Sequence, residues 1–208
     1  MRNIRLWPPP EGSGTQTRAW WESFWESSNF GPPSPGLLEL YDRFVDGAST
    51  AADVGCGNGR YAVELALRGL TVTAVDFSVV ALERARANAA TAAVKVNTRC
   101  LDVAADSVVA DVLFDVVLSS GLLEELSPSG RANALRHIST WTRPGGLTVL
   151  RYCLDIDGRG PLVPRGIVRA YYDNADWEIL FAEERTQAKV SHGGFMACTG
   201  TLVARRRV

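Results

Sequence analysis

The residues best suited to approach a ligand stand in Asp53-Val54-Gly55-Cys56-Gly57-Asn58-Gly59, where a short apolar run breaks into glycines and then a helical pattern. Glycine lets a backbone turn tightly and come close to a ligand that a Cβ would exclude. The free amides of the following helix favour polar or anionic ligand groups. Two more acids close short strand-like runs: Asp76 ends Thr71-Val72-Thr73-Ala74-Val75-Asp76, and Asp102 follows Arg99-Cys100-Leu101. An acid at the end of the second strand can accept hydrogen bonds from both hydroxyls of a ribose. Its alternative task is to cap the helix that starts near Ser78. The dinucleotide spacing G-x-G-x-x-G needs glycine at position 60, but Arg60 stands there and the third glycine is Gly59.

Candidates for proton transfer are fewer. Ser119 and Ser120 close a fourth apolar strand, and Leu122-Leu123-Glu124-Glu125-Leu126 follows. Glu124 could orient an amine or take a proton, as could Glu125; a solvated acidic pair at a helix start is the competing reading. His192, in Ser191-His192-Gly193-Gly194-Phe195, is a candidate base in a polar loop, against simple solvation. His137 lies inside an amphipathic helix, where packing or exposure is the default. The four cysteines (Cys56, Cys100, Cys153, Cys198) form no C-x-x-C pair, and Asp155-Ile156-Asp157 reads as a turn, so no metal site is expected.

These residues need a scaffold, and the pattern around them alternates strand with helix. Ala51–Val54, Thr71–Val75, Lys95–Leu101, Val112–Leu118 and Leu147–Cys153 read as strands, with Asp115 at the edge of the fourth. Arg60–Arg68, Val79–Ala90 and Ser129–Trp141 read as helices, the last capped by a serine and ended before Pro144-Gly145-Gly146. Such alternation predicts a mostly parallel sheet covered on both faces. Ile167–Tyr172 reads as a helix, and Trp177–Glu184 with Phe195–Arg205 as an antiparallel pair at one sheet edge. Before all this, residues 1–16 are rich in Pro and Gly and read as a disordered tail. Trp20, Trp21, Phe24 and Trp25 then set an aromatic face on a short helix, followed by Phe30 and the breaker Gly31-Pro32-Pro33-Ser34-Pro35-Gly36.

The glycine turn preceded by Asp53 resembles motif I of the S-adenosylmethionine (SAM)-dependent methyltransferases of class I, the Rossmann-like type. Asp76 and Asp102, the strand Phe114-Asp115-Val116-Val117-Leu118-Ser119-Ser120-Gly121 and the turn Arg143-Pro144-Gly145-Gly146-Leu147 resemble further features of that family, in the same order. The resemblance spans roughly residues 48–154. It implies an α/β fold: a doubly wound, seven-stranded, mostly parallel sheet with an antiparallel last strand pair, helices on both faces and an N-terminal helical cap. It also implies SAM as cofactor, held by Asp53, Gly55, Cys56, Gly57, Gly59, Asp76, Phe77, Asp102, Val103 and Ser119, with Asp76 on the ribose and Asp102 on the adenine amino group. The aromatic-proline leader resembles that of small-molecule methyltransferases of the tellurite-resistance and thiopurine type. There it covers cofactor and acceptor, so Trp20, Trp21, Trp25, Phe30, Tyr41 and Tyr171 are expected to wall an acceptor pocket; plugging the sheet with aromatic core residues is the other reading. Residues 17–47 then form a cap or lid on a catalytic domain of residues 48–208, one globular unit.

Composition bounds the rest. The chain has 208 residues, with 46% hydrophobic and 22% charged, as in an ordinary folded domain. A formal net charge of −1 gives no broad pull on nucleic acid or an anionic membrane, and Arg205-Arg206-Arg207 is the only dense basic run. No apolar run approaches bilayer length. The expected partner is a small-molecule methyl acceptor, a secondary metabolite or xenobiotic methylated at N, O or S. Neither nucleic acid nor membrane is expected, and the expected location is the cytoplasm. Monomer or homodimer stays undecided; the alternative reading is methylation of protein or nucleic acid, or SAM binding without transfer.

Overall fold

A strand buried on both faces must be small or apolar throughout, and Thr50–Val54 (β1) meets that demand: Ala51, Ala52, Asp53 and Val54 are at most 1% exposed. In the computed structural model, which describes residues 17–27, 31–106, 112–155, 162–186 and 198–208, this strand sits mid-sheet. Thr71–Asp76 (β2) and Phe114–Ser120 (β4) pair with it in parallel on either side. Val96–Cys100 (β3) adds to β2, and Thr142–Asp155 (β5) to β4, also in parallel. Cys198–Arg206 (β8) then runs antiparallel to β5, and Trp177–Thr186 (β7) antiparallel to β8. The order is β3-β2-β1-β4-β5-β8-β7, with a two-residue strand, Val163–Pro164 (β6), beside β5. Strand order reverses between β1 and β4, and a crevice opens at their carboxyl ends, where such sheets take ligands.

Side-chain alternation divides β1 between two cores. Ala52 and Val54 join the cluster under Pro128–Trp141 (α5) and Ile167–Tyr172 (α6), with Ile138, Trp141 and Tyr172. Ala51 faces Arg60–Leu67 (α3), Val79–Thr91 (α4) and Pro35–Phe44 (α2), among Leu37, Tyr41, Tyr61, Leu65 and Leu82. Arg18–Ser27 (α1) lies on α4.

Several boundaries depart from expectation. Val112 and Leu113 are about half exposed and precede β4, which continues to Ser120. Ser127 caps α5, two residues ahead of the expected serine, by accepting a hydrogen bond from the Gly130 amide at 3.1 Å. β5 starts at Thr142 and carries Pro144-Gly145-Gly146 as a bulge, because Phe114 faces Thr142 while Val116 faces Leu147. The β8 assignment begins at Cys198; Phe195 lies outside the described residues.

Asp115 sits in the sheet rather than at its edge. It is buried, and its Oδ2 accepts from the amides and hydroxyls of Ser49 and Thr50 at 2.8–3.0 Å. Burial alone would raise this carboxyl, but those bonds hold it well below the usual carboxylate range. With the Arg143 ion pair, it ties the start of β1 to β4 and β5 at the end of the sheet away from the crevice.

Candidate functional site

The glycine turn is held by positive backbone angles and by two carboxylates with different tasks. Gly55, Gly57 and Gly59 have φ of 69°, 53° and 73°. A Cβ on Gly57 would lie 2.5 Å from Trp25 Cη2, so the absent side chain is what lets α1 close onto the turn. A Cβ on Gly59 would meet Ala85 Cβ at 2.6 Å; this glycine serves the packing of α3 on α4 and does not line the crevice. Asp53 points beneath the turn, where Oδ2 accepts from the Ala62 amide at 3.0 Å and so caps α3 from the strand. Its burial pushes the carboxyl up to about 7, against the pull of that amide and of Arg60.

Asp76 closes β2 and reaches back into the turn. Oδ2 accepts from the Gly57 amide at 2.9 Å and Oδ1 from the Ser78 amide at 3.0 Å. Burial raises its carboxyl, opposed by the amides of Ser78, Gly57 and Phe77. The Ser78 hydroxyl caps α4, so helix capping and cavity lining fall to neighbouring residues. Beyond β3, Asp102 Oδ1 accepts from the Ala104 amide at 2.9 Å and folds the loop 101–104 against the crevice. That loop is held from α5: Asn133 donates to the Ala104 carbonyl, and His137 Nδ1 meets the Val103 carbonyl, both at 2.9 Å.

The aromatic helix α1 forms the cover. Glu22 accepts from the Ser78 hydroxyl at 2.6 Å and from the amides of Val79 and Val80 at 3.1 Å, a carboxylate placed at the N-terminus of α4 by another helix. Against a burial cost, those bonds lower its pKa. Arg18 donates to the Phe77 carbonyl and lies over the Phe77 ring, 4.9 Å from its centroid. Arg84 donates to the Glu26 carbonyl at 2.7 Å. Anchored at these points, α1 turns Trp21, Phe24 and Trp25 toward the glycine turn.

These elements enclose a cavity of about 510 Å³. Of the residues expected at the site, Gly55, Cys56, Gly57, Asp76, Phe77, Asp102, Val103, Glu124, Trp21 and Trp25 line it. Asp53, Gly59 and Ser119 do not; the Ser119 hydroxyl donates to the Val54 carbonyl at 2.8 Å inside the sheet, and its neighbour Ser120 faces the cavity instead. Three aromatic residues also stand elsewhere. Trp20 stacks on Phe24 with centroids 5.4 Å apart, Tyr41 is buried under α2, and Tyr171 bonds Ser139 at 3.0 Å beside α5. Phe30 and His192 lie outside the described residues.

Sequence reasoning missed Arg18, Arg60, Tyr61, Leu101 and Cys153 as lining residues. Arg60 and Tyr61 had a signal, since they follow the glycines directly; Arg18 and Cys153 come from distant elements and carry none. Glu124 and Glu125 belong to a 3-10 turn, Leu123–Glu125, just past β4. Glu124 is 4% exposed, and its Oε1 accepts from the Cys153 amide at 3.2 Å. Burial raises its carboxyl, and burial plus the neighbouring Glu124 charge pushes Glu125 to about 9. Burial and the same two carboxyls push the Cys153 thiol up as well.

A glycine turn, an acid closing β2 and an acid-bearing loop after β3 are gathered around one cavity at the strand reversal. Residues 51–146 match the family model described as "Methyltransferase domain". Over these residues the chain is similar to that methyltransferase domain, and its fold is the Rossmann-like methyltransferase fold. It is 32% identical over 130 residues to a ubiquinone biosynthesis O-methyltransferase of Chromobacterium violaceum, covering 61% of this chain and 54% of that protein. The chain spans about half the length of the curated relatives of this kind that it matches. The fold is also that of TehB from Haemophilus influenzae, with TM-score 0.72 at 19% identity over 89% of this chain and 66% of that one. The N-methyltransferase NodS of Bradyrhizobium japonicum, solved with S-adenosylhomocysteine (SAH), gives TM-score 0.67 at 18% identity over 82% and 84% of the two chains. No helix among the described residues is long and apolar enough to cross a membrane.

Proposed function

We propose that this chain transfers a methyl group from SAM to an N, O or S atom of a small molecule, a secondary metabolite or xenobiotic, in the cavity under α1. The observation that carries this reading is the lidded cavity itself. Its volume of about 510 Å³ falls within the range of small-ligand sites, and its cover is aromatic. A protein or nucleic-acid acceptor would need an open, charged approach, which the α1 contacts to the turn oppose. Residues 17–47 act as the cap and residues 48–208 as the catalytic domain. Three cysteines, Cys56, Cys100 and Cys153, are free thiols, which supports a reducing, cytoplasmic location.

The residues present suit SAM. Two acids at the strand ends, Asp76 and Asp102, line the cavity with Gly55 and Gly57. Gly55 and Gly57 would hold the amino-acid end, Asp76 the ribose, and Asp102 with Val103 the adenine. When bound, SAM supplies a methyl group on a sulfonium that a nucleophile displaces in line, and the enclosing walls contribute orientation and exclusion of water. Thermal denaturation with SAH, SAM or NAD tests this. SAH and SAM should raise the Tm of the wild-type chain and NAD should not, and Asp76→Ala should weaken SAH at least tenfold. A shift with NAD alone would refute the reading. Labelled methyl transfer into a metabolite extract, but not into total protein or RNA, is the expected activity.

A further inference from the structure

Glu124 is an ionisable group of the cavity wall whose chemistry the cofactor contacts leave unused. Glu124 is 4% exposed, yet it lines the cavity, and its Oε2 has no hydrogen-bond partner among the described residues. The acids at the strand ends differ. Asp76 is engaged by the Gly57 and Ser78 amides, and Asp102 by the Ala104 amide. A buried carboxyl oxygen left open keeps an uncompensated desolvation penalty, so its natural completion is a ligand donor. Glu125 stands next to it in the same 3-10 turn and lines the same cavity.

We propose that Glu124, with Glu125 beside it, binds the protonated amine of the methyl acceptor and takes its proton. The assignment rests on the methyltransferase reading above and names its acceptor class. A hydroxyl or thiol could fill the open oxygen, but an ammonium also brings the opposite charge that a buried carboxylate needs. An ammonium supplies both donors and charge. Trp21, Phe24 and Trp25, which line the same cavity, add faces that attract a cation. The Arg131 guanidinium acts on Glu124 through its charge while it donates to the Leu123 carbonyl at 3.0 Å, the Leu126 carbonyl at 3.3 Å and the Leu162 carbonyl at 3.4 Å. The proton balance is simple. R–NH3⁺ and the Glu124 carboxylate become R–NH2 and a carboxylic acid, leaving a neutral nitrogen with its lone pair free for methylation.

The test uses phenethylamine against its neutral counterpart 2-phenylethanol, titrated by calorimetry and ligand-observed NMR into the full chain saturated with SAH at pH 7.5. Phenethylamine should bind at least tenfold more tightly than the alcohol. Glu124→Gln, which keeps an acceptor for the Cys153 amide, should abolish that preference while changing SAH affinity less than threefold. Glu125→Gln, on the less buried neighbour, should reduce the preference at least threefold and covers the case in which Glu124→Gln fails to fold. Three outcomes overturn the proposal: no amine binding at millimolar concentration, equal binding of amine and alcohol, or a Glu124→Gln protein that loses SAH tenfold while keeping the amine preference. If SAH does not bind the wild-type chain, the methyltransferase reading falls first. If SAH binds and the amine does not, only the amine assignment falls.

Discussion

Replacing Asp53 with asparagine should flatten the pH dependence of stability. In the folded chain this carboxyl is fully enclosed under the glycine turn and titrates at about 7; in an unfolded chain it titrates near 3.9. Between those values the native state holds a proton that the unfolded state has released. Stability from this group is therefore complete below about pH 4, declines as pH rises, and is constant above about pH 7. Three pKa units correspond to about 4 kcal/mol, of which about 2.5 kcal/mol falls between pH 5 and pH 8. The asparagine side chain would keep an oxygen for the Ala62 amide and carry no titratable charge. Urea denaturation of both proteins at pH 5, 6, 7 and 8 gives the comparison. The wild type should lose about 2–3 kcal/mol more than Asp53→Asn across this range, because the losses due to Glu124 and Glu125 are common to both and cancel. Parallel curves would refute the assignment of Asp53 as a buried, proton-holding helix cap.

Other expectations follow from the same contacts. Gly57→Ala places a methyl where Trp25 sits and forces a left-handed backbone on alanine; SAH affinity should fall at least tenfold, and unchanged affinity would mean that α1 does not close on the turn. Glu22→Ala removes three hydrogen bonds at the start of α4, should cost about 2 kcal/mol, and should speed tryptic cleavage after Arg18; unaltered cleavage would show that α1 is not tethered there. His137→Ala empties the contact to the Val103 carbonyl and should weaken SAH severalfold with little effect on amine preference, read by the same calorimetry.

Much of the frame was legible along the chain. Burial on both faces imposes small apolar residues on β1, β-branched residues on β2 and amphipathic spacing on the helices, so the strand–helix alternation could be read locally. Turn chemistry made the glycine turn equally visible, because Gly55, Gly57 and Gly59 all need backbone angles that other residues resist. The positions of Asp76 and Asp102 followed from strand ends, which in a parallel sheet all point to one crevice.

Long-range placement was not legible. Nothing in the run Asp53-Val54-Gly55 says that Asp53 turns away from the cavity, because side-chain alternation depends on where the strand ends and the turn begins. The same holds for Ser119 and Ser120: adjacent serines point to opposite faces, and only the register of β4 against β1 selects Ser120. Tyr41 and Tyr171 carry the aromatic character of a pocket wall, yet the helices that bear them pack into the cores. Asp115 looked like a strand edge because its partners, Ser49, Thr50 and Arg143, come from two distant segments. From sequence alone came the class of ligand and the order of the elements, since both are written in local spacing. Which carboxyls face the ligand, which are caps, and which one is left with an open oxygen were decided by tertiary packing, where burial and hydrogen-bond partners arrive from residues far apart in the chain.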